Sequence, residues 1–405
     1  MREKNNTIRI AASDNNNLAL ISLRRRWLLT AAIWGGVLLF VYGLLQTVWP
    51  DATRWALIAG IVLAYKLYLL WGWLPDNHRD GENKLLPTYG LGNCLTLARG
   101  LAIAFVAGFI GSPWPLEMGI LAWLPMLLYT AAGIADYFDG FLARMTNQTT
   151  VLGAKLDLEF DSVGVLMVTL LVVWYGQLPW WYLLLGMAAH LFVFGLWWRK
   201  RRGLPVYGLP PSTHRRIFAG FQMGFLSVSL WPILPAAVVT LAGITCGTFT
   251  ALGFWRDWLV VSGRIEPMAP TYRKIQRWLF ITLTKWLLPL QRLALLTTML
   301  MIYSTIANPV QPSEWVKLFT SWHFAWPGLL AIVVSAVAIL ATLTTVLGIA
   351  GRMSSILLFF PLCFETIIHG LQWPNAIALM STLCLSLLGT GYFSLWQPEE
   401  KFLER

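Results

Sequence analysis

Apolar runs of about 18–22 residues recur along this chain with almost no charge inside them. Such a run crosses a bilayer as a helix, because a helix satisfies its own backbone hydrogen bonds where water is absent. Hydropathy predicts twelve of them, at 27–48, 54–74, 94–112, 118–138, 156–176, 180–198, 214–232, 234–255, 284–306, 325–347, 353–370 and 375–394. Composition agrees. The chain is 57% hydrophobic and 12% charged, whereas soluble domains carry roughly 25% charged residues. Too little polar surface is left to face water on all sides. The expected fold class is an all-α integral membrane protein with about twelve transmembrane helices.

The net charge of +11 would suggest nucleic acid in a soluble protein. Here Arg24-Arg25-Arg26 and Arg199-Lys200-Arg201-Arg202 flank apolar runs. That placement reads as membrane orientation, and no nucleic-acid partner is expected. Placing the N-terminus inside gathers most basic loops there: Arg79 and Lys84, Arg144 and Lys155, residues 199–202, Arg256 to Arg277, and Arg352. The opposite loops keep little beyond Arg54 and Lys317. Both termini are therefore expected in the cytoplasm. Cys94, Cys246, Cys363 and Cys384 lack metal or disulfide spacing and read as packed thiols. The first 23 residues are polar, and the apolar run after them reads as a retained anchor. Three sections follow: 1–85, a tail and two helices; 86–265, six helices with most of the unusual polar residues; and 266–405, a basic amphipathic stretch and four helices.

Chemistry concentrates in Asp136-Tyr137-Phe138-Asp139-Gly140-Phe141-Leu142-Ala143-Arg144 and, eight residues later, Gly153-Ala154-Lys155-Leu156-Asp157-Leu158-Glu159-Phe160-Asp161. Asp136 and Asp139 share one helix face, and Asp157 and Asp161 share a face of the next. A short connection makes the two helices antiparallel neighbours, so the four carboxylates can converge near the cytoplasmic surface. Acids at membrane-helix ends are functional candidates by default. Together they repel one another unless protons or cations neutralise them. An all-oxygen ligand set favours Mg²⁺ or Mn²⁺, and two such ions bridged by carboxylates suit phosphate chemistry. Gly140 and Gly153 allow close approach, and Arg144 can meet a phosphate oxygen. The plainer alternative, pairing with Arg144 and Lys155 at a helix boundary, accounts for one or two acids but not four.

This stretch resembles the signature of the CDP-alcohol phosphatidyltransferase superfamily, D-x2-D-G-x2-A-R-x8-G-x3-D-x3-D, at all its fixed positions. The resemblance covers roughly residues 90–265 and implies a six-helix core. It implies that Asp136, Asp139, Asp157 and Asp161 hold two divalent ions. It further implies that Gly140, Ala143, Arg144 and Gly153 line the CDP site, and that Asp161 is the general base. The implied donor is a CDP-linked lipid, such as CDP-diacylglycerol or an archaeal-type analogue. The acceptor is a small alcohol or phosphorylated alcohol, such as glycerol 3-phosphate or an inositol phosphate. The bilayer is a further partner, and a homodimer is an open expectation. A rival within the family uses CDP-choline or CDP-ethanolamine with a diacylglycerol acceptor. Outside it, a transporter would place its acids near mid-membrane rather than at helix ends, and a silent scaffold would not need the full signature.

Gly92-Asn93-Cys94-Leu95-Thr96-Leu97-Ala98-Arg99 is similar to the N-x-L-T-x2-R opening of the family's first core helix. It offers Asn93 and Thr96 as nucleotide-site residues, with helix capping by Asn93 as the competitor. Thr213-His214-Arg215-Arg216 is similar to the basic entry of the family's fifth core helix. Arg215 and Arg216 either bind an acceptor phosphate or mark the inside flank. Arg256-Asp257 reads as an interfacial salt bridge. Residues 340–360 and 388–395 resemble turns of DoxX-like membrane proteins. In that section Glu365 and His369 form the lone ionisable pair, read as internally satisfied.

Overall fold

The computed structural model describes residues 2–146, 148–210, 213–306 and 314–397; the side chains of Phe141, Arg144, Thr213, His214 and Arg216, among others, lie outside what it describes. Among the described residues there is no strand, only two isolated bridges. The α-helices are α1 (Arg2–Leu45), α2 (Ala52–Trp73), α3 (Gly90–Gly108), α4 (Ile120–Met145), α5 (Val151–Trp174), α6 (Leu183–Gly186), α7 (Ala188–Arg201), α8 (Thr213–Ser229), α9 (Ala236–Val261), α10 (Pro270–Thr282), α11 (Leu288–Ile306), α12 (Glu314–Ser321), α13 (Pro327–Leu347), α14 (Gly351–His369) and α15 (Trp373–Leu388). Large apolar side chains stand exposed along them, such as Leu39, Ile61 and Ile332. That is the surface a bilayer covers, and the protein is an integral membrane protein.

Among the described residues, eight helices are long and apolar enough to cross a membrane, or nine if one bent pair counts as a single span. These account for nine of the twelve expected segments. The other three expected segments do fall on helices. One is α5, whose first turns carry Lys155, Asp157, Glu159 and Asp161. The other two, Ile217–Ser229 and Trp373–Leu388, are shorter than a full span. The expected span 180–198 is broken, with a 57° bend between Trp180–Gly186 and Ala188–Arg201. The expected span 284–306 begins earlier. A π-helical turn at Leu283–Leu287 joins the amphipathic α10 to α11, giving one run, Pro270–Tyr303.

The chain forms two compact units. The first holds residues 1–176 and 226–232. Its centre is α3, which packs on α2, α4 and α5. Glycines permit the close approach. A Cβ on Gly100 would stand 2.5 Å from the Phe160 ring, and one on Gly108 would stand 2.5 Å from Trp55. Trp55 also donates its indole N–H to the Phe105 carbonyl at 3.0 Å. Such small-residue seams drive helix packing in lipid, where burying apolar surface gains little.

The second unit holds residues 177–225 and 233–405. In it, α14 packs on α13 and α15, and α11 on α13 and α15. The guanidinium of Arg292 donates to the carbonyls of Val346, Thr390 and Phe393, tying the end of α13 to the loop after α15. Glu365 and His369 form the satisfied pair expected, at 2.8 Å, with Trp315 Nε1 on the other Glu365 oxygen at 3.3 Å.

Candidate active site

Three helices of the first unit build the acidic site. Thr150 caps α5 by accepting the Gly153 N–H at 3.0 Å, which fixes where the helix starts and therefore which way Asp157 and Asp161 face. Asn93 on α3 donates to the same Thr150 hydroxyl at 3.1 Å. It therefore buttresses another helix's cap and does not cap its own, where Tyr89 is the N-cap residue. Gly153 has no room for a side chain because Asn93 Oδ1 fills the space. At the other contact, a Cβ on Gly92 would lie 2.8 Å from that of Ala143. The small signature residues Ala143 and Gly153 thus let α4 and α5 approach α3. Gly140 is half-buried.

The acids meet as their spacing implies. Carboxylate oxygens of Asp136, Asp139 and Asp157 lie within 4.8 Å of one another. Asp161 joins them through a residue that helical spacing alone does not connect to it. Arg99, with its side chain 1% exposed, reaches all four. One of its terminal nitrogens lies 2.5 Å from Asp139 Oδ2 and 2.9 Å from Asp157 Oδ1. The other lies 2.5 Å from Asp136 Oδ1 and also meets Asp161. Thr96 donates to Asp139 Oδ2 at 3.0 Å. Lys155, the partner that would have made the cluster a mere boundary salt bridge, pairs with Asp76 at 2.7 Å instead.

Four ionised carboxylates against one guanidinium leave three negative charges uncompensated. At 4 Å, each like pair repels by about 4 kcal/mol in a partly dry site. The all-oxygen donor set and the 4.8 Å clustering fit a hard divalent cation. Two buried polar atoms, Arg99 Nε and the Tyr129 hydroxyl, also have no hydrogen-bond partner among the described residues. Tyr129 lies within electrostatic range of Asp161 and Asp136.

In the second unit, Arg215 Nε lies 3.6 Å from the buried Asp257, which Arg256 also meets at 3.3 Å. Arg256 in turn donates to Tyr272 at 2.8 Å. Arg215 is thus engaged in a local ion pair. Arg216 and Arg144, both expected to meet phosphate, have side chains outside the described residues.

A carboxylate cluster on membrane helices is a functional site by default, and this one fits a divalent cation. More particularly, residues 89–255 match the family model described as CDP-alcohol phosphatidyltransferase. The chain is 37% identical over 99 residues to a CDP-diacylglycerol--glycerol-3-phosphate 3-phosphatidyltransferase of Salmonella choleraesuis (strain SC-B67), covering 22% of this chain and 50% of that protein. It is 38% identical over 103 residues to a protein of the same name from Blochmanniella floridana, with the same coverage. It is 31% identical over 103 residues to a Mycobacterium tuberculosis (strain ATCC 25618 / H37Rv) protein named as a proposed cardiolipin synthase, covering 24% and 47%. The chain spans about half the length of these curated relatives. No solved structure matches it.

Proposed function

We propose that the protein transfers a phosphatidyl-type group from a CDP-linked lipid, CDP-diacylglycerol, to an alcohol and releases CMP, as a step of phospholipid synthesis. The observation that carries this reading is the convergence of Asp136, Asp139, Asp157 and Asp161 around one buried arginine inside the matched domain. Asp136, Asp139 and Asp157 would hold Mg²⁺ or Mn²⁺, with Asp161 completing a two-ion set. Such ions supply positive charge to the donor's phosphates.

The chain's own residues do the rest. Asp161 takes the proton of the acceptor hydroxyl. The freed oxygen attacks the lipid-side phosphorus, the bond to the CMP phosphate oxygen breaks, and CMP leaves. Arg144 meets the departing charge. Gly140, Ala143 and Gly153, with Asn93 and Thr96 behind them, shape the nucleotide side by letting backbone come close. Positioning and charge stabilisation dominate such transfers, and no nucleophilic side chain is required.

In this reading the acids open on the cytoplasm, both termini lie there, and the chemistry belongs to section 86–265, flanked by 1–85 and 266–405. An acceptor phosphate would fall to Arg215 and Arg216. The homodimer expectation takes no part in the proposal. The relatives' names make glycerol 3-phosphate the first acceptor to try. The test is mass spectrometry of lipid products after incubating purified protein with CDP-diacylglycerol, Mg²⁺ and a panel of alcohols. A single new phospholipid is expected. No product from any CDP-linked donor, including CDP-choline and CDP-ethanolamine with diacylglycerol, contradicts the enzyme reading.

A further inference from the structure

Helix α10 takes no part in the chemistry above. With the π-helical turn and α11 it makes one run, Pro270–Tyr303, of 34 residues. At 1.5 Å per residue such a run is about 51 Å long, against a hydrocarbon core of about 30 Å. One end must therefore stand outside the core. Two basic residues further along the run are already occupied: Arg292 by the carbonyls described above, and Lys285 by the Tyr392 ring, 5.4 Å away. Arg273, Lys274 and Arg277 stand together on α10, which marks it as the outer end. Helix α10 holds no acid to neutralise them, and the nearest in sequence, Glu266, precedes the helix. Arg273 donates to the Met268 sulfur at 2.6 Å, a contact that leaves its charge uncompensated.

The three cations are three or four residues apart and share one helix face, while Ile275, Trp278 and Leu279 share another. No residue of α10 is buried, and these three apolar side chains are 55%, 63% and 48% exposed. Tyr272 tethers the helix: its hydroxyl accepts from Arg256 Nε at 2.8 Å, and Arg256 meets the buried Asp257. A tethered helix with an uncovered apolar face and an uncovered basic face suits the membrane interface, where the first enters the acyl chains and the second meets headgroups. Orienting the chain needs basic loops, but it does not need the cations gathered on one helix face beside an apolar stripe. Three cations without an acid complement a headgroup of net negative charge.

We propose that α10 is a binding site for anionic phospholipid of the surrounding bilayer, whose headgroup phosphate sits against Arg273, Lys274 and Arg277. The site stands apart from the aspartates and does not depend on the transferase reading. The test is titration of the full-length protein, in a neutral detergent, with phosphatidylglycerol and separately with phosphatidylcholine, bound lipid being counted by mass spectrometry of the intact complex. Wild type should bind the first phosphatidylglycerol at least about tenfold more tightly than phosphatidylcholine, since each basic residue at a membrane surface strengthens anionic binding about fivefold. The triple variant Arg273→Gln, Lys274→Gln, Arg277→Gln should lose at least about tenfold for phosphatidylglycerol and less than about twofold for phosphatidylcholine. Arg273→Lys, Lys274→Arg, Arg277→Lys, which keeps the charges, should stay within about threefold of wild type. Should the neutral triple variant not fold, Lys274→Gln with Arg277→Gln serves with the same direction. Equal binding of the two lipids by wild type, or unchanged phosphatidylglycerol binding in the folded neutral variant, overturns the inference. So does a loss in the charge-keeping variant as deep as in the neutral one.

Discussion

Arg99 shows what residue-level reading reaches and where it stops. The two Asp pairs were legible because helical spacing places residues three or four apart on one face. That one guanidinium would join all four acids was not legible. Arg99 lies 40 residues from Asp139 and 62 from Asp161, and only tertiary packing closes that distance. A sign was available in the sequence, since an arginine inside an apolar helix demands a partner. Thr96→Val tests the local network. It removes a donor from the buried Asp139 carboxylate, and we expect a loss of about 1–3 kcal/mol in stability, read as a lower unfolding temperature. Lys155→Ala tests the opposite case. Its pair with Asp76 is half-exposed, worth about 0–1 kcal/mol. CMP release by Lys155→Ala should therefore stay close to the wild-type rate.

At the scale of elements, most helices lie where hydropathy places them, and the misplaced ends have physical causes. Helix α3 starts at Gly90 rather than 94 because its first turn, Gly90-Leu91-Gly92-Asn93, holds two glycines and an asparagine, which add little hydropathy. Helix α5 starts at Val151 rather than 156 because Thr150 caps it ahead of the apolar run. The seam of α3 with α5 was not legible, because a glycine in a helix reports nothing of what lies against it. Gly100→Ala tests it directly. The new methyl would enter the Phe160 ring, and overpacking of this kind costs about 1–3 kcal/mol. Thermal unfolding of Gly100→Ala should show that loss, and a wild-type unfolding temperature would contradict the close packing.

For the whole molecule, the basic loops predict that the acids and both termini face the cytoplasm. Cysteine labelling in intact cells checks this, in a chain with its four native cysteines replaced. Lys84→Cys should react only once the membrane is permeabilised, and Lys317→Cys should react from outside; the reverse pattern would invert the topology. The central claim is that the four aspartates are the machinery of phosphatidyl transfer. Its most direct measurement is CMP release by purified wild type and Asp161→Asn, given CDP-diacylglycerol, an accepted alcohol and Mg²⁺. The account predicts steady release by wild type that stops on chelation, and none above background by a folded Asp161→Asn. Release by Asp161→Asn at the wild-type rate would contradict it.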